Sequence, residues 1–328
     1  MDQRILGRTG RSVSVISLGT WQLGGDWGSV SEPDARAVLD ASVGSGVTMF
    51  DTADVYGDGR SEQLIGDYLA DNAALDIFVA TKIGRRSEQV PGNYTLANFR
   101  NWIDRSRANL RRDTLDLVQL HCPPSAVFES DQVFDGLDTL VAEGAIANYG
   151  VSVETTEQAL TAIARPRVAS VQIILNAFRL KPLDAVLPAA IDAGVGIIAR
   201  VPLASGLLSG KYTAHTEFPA DDHRNYNRHG ESFDVGETFS GVDFDAGVRA
   251  AQKFARMARA AGLEPATAAL AWLAQLPGVS TVIPGARNAG QAISNAAAGS
   301  VATLPADFGT GVTDLYNEYF RAALTDRW

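Results

Sequence analysis

The pattern of the chain is clearest in residues 47–82, VTMFDTADVYGDGRSEQLIGDYLADNAALDIFVATK. In this stretch two short apolar runs, 47–51 and 77–82, flank a longer amphipathic segment. The same alternation continues from one end of the chain to the other, which is typical of repeated βα units around a parallel sheet. The predicted strands span residues 15–19, 47–51, 77–82, 116–121, 147–152, 170–175, 196–201 and 280–285. Eight such units predict an α/β fold, a (β/α)8 TIM barrel.

Helices are predicted between and after these strands, where start and stop residues bound the amphipathic segments. They span residues 32–44, 95–110, 131–143, 154–164, 183–193 and 264–275. A small N-terminal β-hairpin with a turn at Thr9-Gly10 is expected to close one end of the barrel. Residues 305–324 are expected to form an extra C-terminal helix.

The interval after the seventh predicted strand is too long for one βα unit. Arg200 and Gly285 are 285 − 200 = 85 residues apart, which exceeds an ordinary unit by about 45 residues. We therefore expect an insertion there, in which residues 212–244 form a long loop able to cover a site. No linker-like change in composition occurs, so residues 1–328 are predicted to form a single domain.

The composition excludes several classes of function. Asp and Glu number 38 against 28 Lys and Arg, a net charge of −10, which disfavours binding to nucleic acids. The single cysteine, Cys122, excludes an intrachain disulfide and a cysteine-rich zinc site. The N-terminus lacks a signal peptide, and no uncharged stretch is suited to span a membrane. We expect a cytoplasmic protein without a membrane partner, and a monomer is favoured.

Four side chains that work together in proton transfer stand at the ends of neighbouring strands. Asp51, Lys82 and His121 end the second, third and fourth predicted strands, and Tyr56 follows Asp51 by five residues. In a barrel the carboxyl ends of the strands meet at one face. We expect Lys82 to lower the pKa of the Tyr56 phenol, Asp51 to keep Lys82 charged, and His121 to hydrogen-bond a substrate oxygen. This set favours protonation of a carbonyl, with the hydride supplied by a cofactor.

Other interpretations of the same residues remain open at this point. Lys82 and Asp51 can form a purely structural ion pair, or Lys82 can be the Schiff-base lysine of a lyase, although Tyr56 favours a reductase. His121 beside Cys122 can indicate a metal or a nucleophile, but too few other ligands occur and no metal is expected. The remaining histidines are expected to be solvated in the insertion; they are His215, His223 and His229.

These motifs together resemble the aldo-keto reductase family over essentially the whole chain. The matching stretches are LGRTG (6–10), SLGTW (17–21), DTADVYG (51–57), TK (81–82), QLH (119–121) and IPGARNAGQAISN (283–295). The resemblance implies that Asp51, Tyr56, Lys82 and His121 form a catalytic tetrad in which Tyr56 donates the proton. It also implies NADP(H) bound in extended form across the barrel mouth, and no G-x-G-x-x-G fingerprint follows an early strand here.

The resemblance also implies the residues that would bind the cofactor. Ser152 and Gln172 would hold the nicotinamide carboxamide, residues 201–211 (VPLASGLLSGK) would hold the pyrophosphate, and Arg287 would bind the 2′-phosphate. The full set of candidates is Thr20, Trp21, Ser152, Gln172, Arg200, Pro202, Leu203, Ser205, Gly206, Lys211, Gly285, Arg287, Gln291 and Asn295.

Two positions depart from the family pattern. Arg200 stands where many members carry a tyrosine that stacks on the nicotinamide, although a planar guanidinium can also stack. Gln291 stands where some relatives carry a basic residue, which leaves Arg287 as the main cation of that segment. The sequence therefore favours NADP over NAD.

The predicted function is NADPH-dependent reduction of aldehydes or ketones to alcohols, with a small carbonyl compound as the partner. Specificity is expected in the loops around Trp21 and Trp27, around Phe128, and in the insertion. The rival is a cofactor-sensing regulatory subunit similar to the potassium-channel β subunits of the same fold. The chain begins almost directly with the barrel, without an added interaction segment, which favours the reductase.

Overall fold

The computed structural model describes residues 1–25, 30–325 and 327–328, and it confirms the barrel. Its eight parallel barrel strands are β3 (Leu18–Gly19), β4 (Met49–Asp51), β5 (Phe78–Ile83), β6 (Leu117–His121), β7 (Tyr149–Ser152), β8 (Ser170–Ile174), β9 (Gly196–Arg200) and β10 (Val279–Val282). They pair in sequence order from β3 to β10. Parallel bridges between Ile16 and Val282 and between Gly19 and Gly285 join the first and last strand segments, which closes the barrel.

The N-terminal hairpin fills the end of the barrel that lies opposite the carboxyl ends of the strands. Its antiparallel strands are β1 (Gln3–Ile5) and β2 (Ser12–Ser14), joined through Gly10 at a φ of 66°. Hairpin side chains pack with inward-facing side chains of the barrel in one apolar cluster, made of Leu6, Val13, Met49, Phe78, Ala80, Leu117, Ile198 and Ile283. The barrel interior is thus a packed core, and access to it is left at the other face.

Helices cover the outside of the barrel, and serine and threonine side chains cap several of them. Ser31 caps the helix at Glu32 by accepting from the Asp34 amide, and Thr95 does the same for Asn98. The helices are α1 (Trp21–Gly24), α2 (Glu32–Gly44), α3 (Arg60–Asp71), α4 (Leu96–Leu110), α5 (Ser125–Glu129), α6 (Asp131–Ala142), α7 (Thr156–Ile163), α8 (Pro182–Ala193), α9 (His223–Tyr226), α10 (Phe244–Ala260), α11 (Pro265–Gln275), α12 (Ala289–Ala297), α13 (Ala306–Tyr319) and α14 (Arg321–Leu324).

Two predicted segments differ in detail from the structure. The C-terminal helix is interrupted at Phe320, whose ring is buried against Phe178 at a centroid distance of 4.7 Å. The insertion after β9 is a loop that holds the short helix α9 and two 3-10 turns, Val235–Glu237 and Phe239–Gly241. Among the described residues, no helix combines the length and the apolar content that a membrane span needs.

Candidate functional site

A cavity of about 720 Å³ opens at the carboxyl ends of the barrel strands. It is lined by Asp51, Tyr56 and His121, and by all fourteen residues that the sequence proposes for the cofactor, from Thr20 to Asn295. Lys82 lies behind this lining and is 1% exposed. The structure therefore brings all the predicted site residues to one end of the barrel, as the carboxyl-end rule for these folds requires.

The four predicted catalytic side chains form a connected group centred on Lys82. Its Nζ donates to Asp51 Oδ1 at 2.5 Å, to the Thr52 carbonyl at 2.8 Å and to Tyr56 Oη at 3.2 Å. The His121 ring meets the Tyr56 ring edge-on at a centroid distance of 6.0 Å. One cation thus contacts both the carboxylate that neutralises it and the phenol that faces the cavity.

The second oxygen of Asp51 is held by two glutamines. Gln172 Nε2 donates to Asp51 Oδ2 at 2.8 Å and Gln119 Nε2 donates to the same oxygen at 3.2 Å. Gln119 lies on β6 and Gln172 on β8, two barrel strands that both pair with β7. Three side-chain donors, Lys82, Gln119 and Gln172, thus hold the Asp51 carboxylate in place within the barrel.

The turn after Asp51 aims Tyr56 into the cavity. Tyr56 begins a 3-10 turn, Tyr56–Gly59, and its amide donates to the Ala53 carbonyl at 3.1 Å. Gly57 follows at a φ of 58°, and a Cβ there would lie 2.1 Å from the Gly24 carbonyl oxygen. Only glycine fits that close approach, so the spacing between Asp51 and Tyr56 depends on Gly57.

Burial and the Lys82 cation have opposite effects on the pKa of the Tyr56 phenol. Burial raises the pKa of Tyr56 above its ordinary value, and Lys82 lowers it by less than burial raises it. The expected lowering by Lys82 is present, but the pKa of Tyr56 is raised overall because burial outweighs the effect of the cation. Burial alone would also lower the pKa of Lys82, but Asp51 and Tyr56 raise it overall. At neutral pH the group consists of a protonated phenol beside an ammonium.

His121 ends β6 in a buried position surrounded by cations. Burial first, and then the charges of Arg85 and Lys82, lower the pKa of His121 well below 6.5. A neutral imidazole can donate or accept a hydrogen bond without bringing a further charge into the cavity.

We expect the imidazole of His121 to stay neutral through the pH range in which an ordinary histidine gains its proton. Histidine side-chain NMR spectra, assigned by comparison with His121→Asn, measure this directly. A titration midpoint at or above the ordinary value would contradict the assigned effect of burial and of the two cations.

The insertion forms one wall of the cavity and is fixed there through Arg200 and Ser205. Arg200 makes an ion pair with Glu237 of the insertion, and its Nη2 donates to the Val153 carbonyl at 3.0 Å. Ser205 Oγ donates to the Glu237 carbonyl at 3.0 Å and accepts from the Phe239 amide at 3.0 Å. The residue at the expected stacking position is thus held in place by a partner that the sequence did not indicate.

The wall that runs away from Tyr56 has the groups that a dinucleotide phosphate needs. Gln172 contacts Asp51 of the tetrad and is paired with Ser152 on the neighbouring strand. Ser205, Gly206 and the exposed Arg287 also line the cavity. Gly206 has a φ of 97° and its Cβ position is 2.4 Å from Tyr212 Oη, so the chain turns tightly there. Amide-binding groups at one end and a cation at the other fit a nicotinamide dinucleotide phosphate.

The substrate side of the cavity is mostly aromatic. The Trp21 ring lies 6.1 Å from the Tyr56 ring and 5.8 Å from the Phe233 ring. His223, expected to be solvated, is instead buried, and its ring lies 5.5 Å from that of Trp21. Phe128, expected near the site, is buried in the core and does not line the cavity. Trp27 lies outside the described residues.

Several cavity residues were not found by sequence reasoning. Arg85 follows Lys82 by three residues, just after the end of β5, a proximity that could have indicated it. Arg224, Tyr226, Phe233 and Glu237 come from the insertion, whose sequence has no periodicity from which their direction could be derived.

Comparisons with known proteins agree with the fold and show the family. A model of the Aldo/keto reductase family matches residues 15–316. The chain is 29% identical over 296 residues to the aldo-keto reductase YhdN of Bacillus subtilis, covering 89% of this chain and 86% of that protein. It is 30% identical over 311 residues to a probable voltage-gated potassium channel subunit beta of Oryza sativa, covering 90% of each. The solved glycerol dehydrogenase AKR11B4 of Gluconobacter oxydans superposes with a TM-score of 0.78 at 28% identity, covering 97% of this chain and 95% of that one.

Proposed function

The chain belongs to the aldo/keto reductase family, and from that premise we propose that it is an oxidoreductase that reduces aldehydes or ketones to alcohols with NADPH. The observation that carries this proposal is the 3.2 Å hydrogen bond from Lys82 Nζ to Tyr56 Oη at the wall of the cavity. A buried ammonium in contact with a protonated phenol makes that phenol a usable acid, because the positive charge stabilises the phenolate that remains.

The protein residues supply the proton and the orientation. The nicotinamide, when bound, supplies the hydride that the carbonyl carbon gains. Tyr56 Oη gives its proton to the carbonyl oxygen, and Lys82 stabilises the resulting phenolate. His121 hydrogen-bonds the same oxygen, while Asp51 keeps Lys82 charged and in place. The phenolate of Tyr56 is then reprotonated from the solvent that reaches the cavity.

Lys82 is poorly placed for a lyase mechanism. A Schiff base requires a neutral amine that a carbonyl carbon can reach. Lys82 Nζ donates three hydrogen bonds, its pKa is raised by Asp51 and Tyr56 against the effect of burial, and its side chain is 1% exposed. The ammonium therefore acts through Tyr56 and not as a nucleophile.

The reaction class is tested by following the loss of reduced-nicotinamide absorbance when the purified protein meets an activated aromatic aldehyde such as 4-nitrobenzaldehyde. NADPH and NADH are compared in parallel. Formation of the alcohol at the rate of NADPH oxidation supports the proposal, and a protein that binds NADPH but turns over no carbonyl contradicts it.

The similarity to a potassium channel subunit beta supports a second candidate, a regulatory subunit that senses the cofactor. This function requires slow turnover and retention of NADPH through purification. Release of NADPH from the protein on denaturation, together with a very low turnover number in the assay above, would favour it over the reductase.

Arg287 is expected to decide the preference for NADPH over NADH. It lines the outer end of the cavity, and its amide donates to Gln291 Oε1 at 2.8 Å, which fixes the turn that carries it. Replacing Arg287 by glutamine should raise the KM for NADPH roughly tenfold or more, because a charged hydrogen bond to phosphate is lost. The KM for NADH should change much less. Arg259→Gln, an exposed arginine on α10, is the control, and equal effects on both cofactors would contradict the assignment.

A further inference from the structure

Arg85 lines the cavity directly beside His121 and has a donor that none of the described residues accepts from. Its Nε donates to the His121 carbonyl at 3.2 Å, and its Nη2 donates to Glu154 Oε1 at 3.0 Å. Its Nη1 makes no hydrogen bond within the described parts of the chain. The side chain is one quarter exposed, so this guanidinium presents a free edge to the cavity.

The position of Arg85 relative to the reacting groups is fixed by that bond to His121. Gly84, at a φ of 115°, turns the chain between β5 and Arg85. Because Arg85 is bonded to the backbone of His121, its guanidinium lies within a short distance of the place where His121 and Tyr56 would hold a carbonyl oxygen. A group bound by Arg85 can therefore belong to a substrate whose carbonyl oxygen is held by His121 and Tyr56.

Acidic side chains around this part of the cavity already have partners: Asp51 and Glu237 each contact a cation. Asp51 is bonded to Lys82 and two glutamines, and Glu237 is paired with Arg200. Glu154 is the ion-pair partner of Arg85, and burial, followed by the hydrogen bond between Glu154 and the acceptor Asp234, raises the pKa of Glu154 to about 7. Three cations, Arg85, Lys82 and Arg200, lie close enough to His121 to affect its pKa, although the whole chain carries a net charge of −10.

We infer that Arg85 forms an anion-binding subsite, and that the substrates this site prefers are short aldehydes or ketones that carry a carboxylate. The inference rests on the proposed reductase function and names its substrate class. A carboxylate suits the free edge, since guanidinium and carboxylate form short charge-assisted hydrogen bonds. The aromatic rings of Trp21 and Phe233 on the same side of the cavity suit a flat body between the carboxylate and the carbonyl.

The test compares matched acid and ester substrates with NADPH. The probes are 3- and 4-formylbenzoate and their methyl esters, which differ only in the negative charge. The wild-type protein should show a higher kcat/KM for at least one acid than for its ester. Arg85→Gln should lower that acid-to-ester ratio roughly tenfold to a hundredfold, the range for a hydrogen bond between charged groups, and Arg85→Lys should restore part of it.

Arg86→Gln is the matched control, because the neighbouring arginine pairs with Asp58 and does not line the cavity. It should leave the ratio at the wild-type value. A wild-type ratio at or below one for both isomers would overturn the inference, and so would an equal loss of acid and ester activity in Arg85→Gln at an unchanged unfolding temperature. With either of these two results, reduction of the esters by the wild type would still support the reductase function.

Benzoate binding separates failure of the subsite from failure of the reductase. Calorimetric titration of benzoate, with and without NADP⁺, requires no turnover. Binding by the wild type that Arg85→Gln weakens, in a protein that reduces none of the four aldehydes, would support the subsite and contradict the reductase. No difference in binding between wild type and Arg85→Gln would overturn the subsite.

Discussion

Replacing Tyr56 by phenylalanine is expected to lower the rate of carbonyl reduction roughly a hundredfold to ten-thousandfold, the range that a positioned general acid contributes. The change removes one oxygen, the atom that accepts from Lys82 at 3.2 Å, and keeps the ring that packs between Trp21 and His121. NADPH should still bind, because the proposed contacts to the dinucleotide come from other strands. The measurements are kcat/KM for an aromatic aldehyde and the dissociation constant of NADPH from fluorescence.

Tyr149→Phe is the matched control for this prediction. Its hydroxyl is bonded to Asp138 at 2.8 Å, away from the cavity. It should keep nearly full activity. Loss of NADPH binding in Tyr56→Phe would contradict the proposed role of Tyr56, since that role concerns the proton alone.

Replacing Lys82 by methionine is expected to lower kcat/KM by about the same factor as Tyr56→Phe, but for a different reason. Tyr56 would keep its proton, but the ammonium that stabilises the phenolate would be gone, so the phenol would become a weaker acid in an already buried position. kcat/KM near neutral pH measures the effect. Near-normal rates would show that Tyr56 does not depend on Lys82.

This variant also leaves the Asp51 carboxylate buried without its cation, and breaking a buried ion pair costs about 3–5 kcal/mol of stability. Loss of activity through unfolding must therefore be separated from loss of the acid. The double variant Lys82→Met with Asp51→Asn removes both charges and should recover much of the unfolding temperature. It should remain inactive, because the phenol would still lack its neighbouring cation.

The sequence allowed the strands and the central group of the site to be predicted for one physical reason. Each barrel strand is a short apolar run that must end where its backbone reaches the open face, so a polar residue such as Asp51 or His121 marks the end of a strand and a position in the site. Lys82 lies one residue inside the end of β5 and still reaches Tyr56 with its long side chain.

The remaining parts of the site depend on contacts between residues that are far apart in the sequence. Glu237 meets Arg200 across 37 residues of chain, and the insertion between them has no repeating pattern that fixes its path. His223 looked like a loop residue because its neighbours are polar, yet it packs against Trp21. The direction of the net pKa shift of Tyr56 could not be predicted from the sequence either, because it depends on the burial of the phenol.

The pairing of Arg200 with Glu237 limits how this protein can be re-engineered. Loops after barrel strands are often exchanged between relatives as independent modules to change specificity. Here a transplanted loop without an acid in place of Glu237 would leave a buried guanidinium uncompensated at the centre of the mouth. Arg200 and the insertion therefore act as one structural unit, and a chimaera should exchange both together.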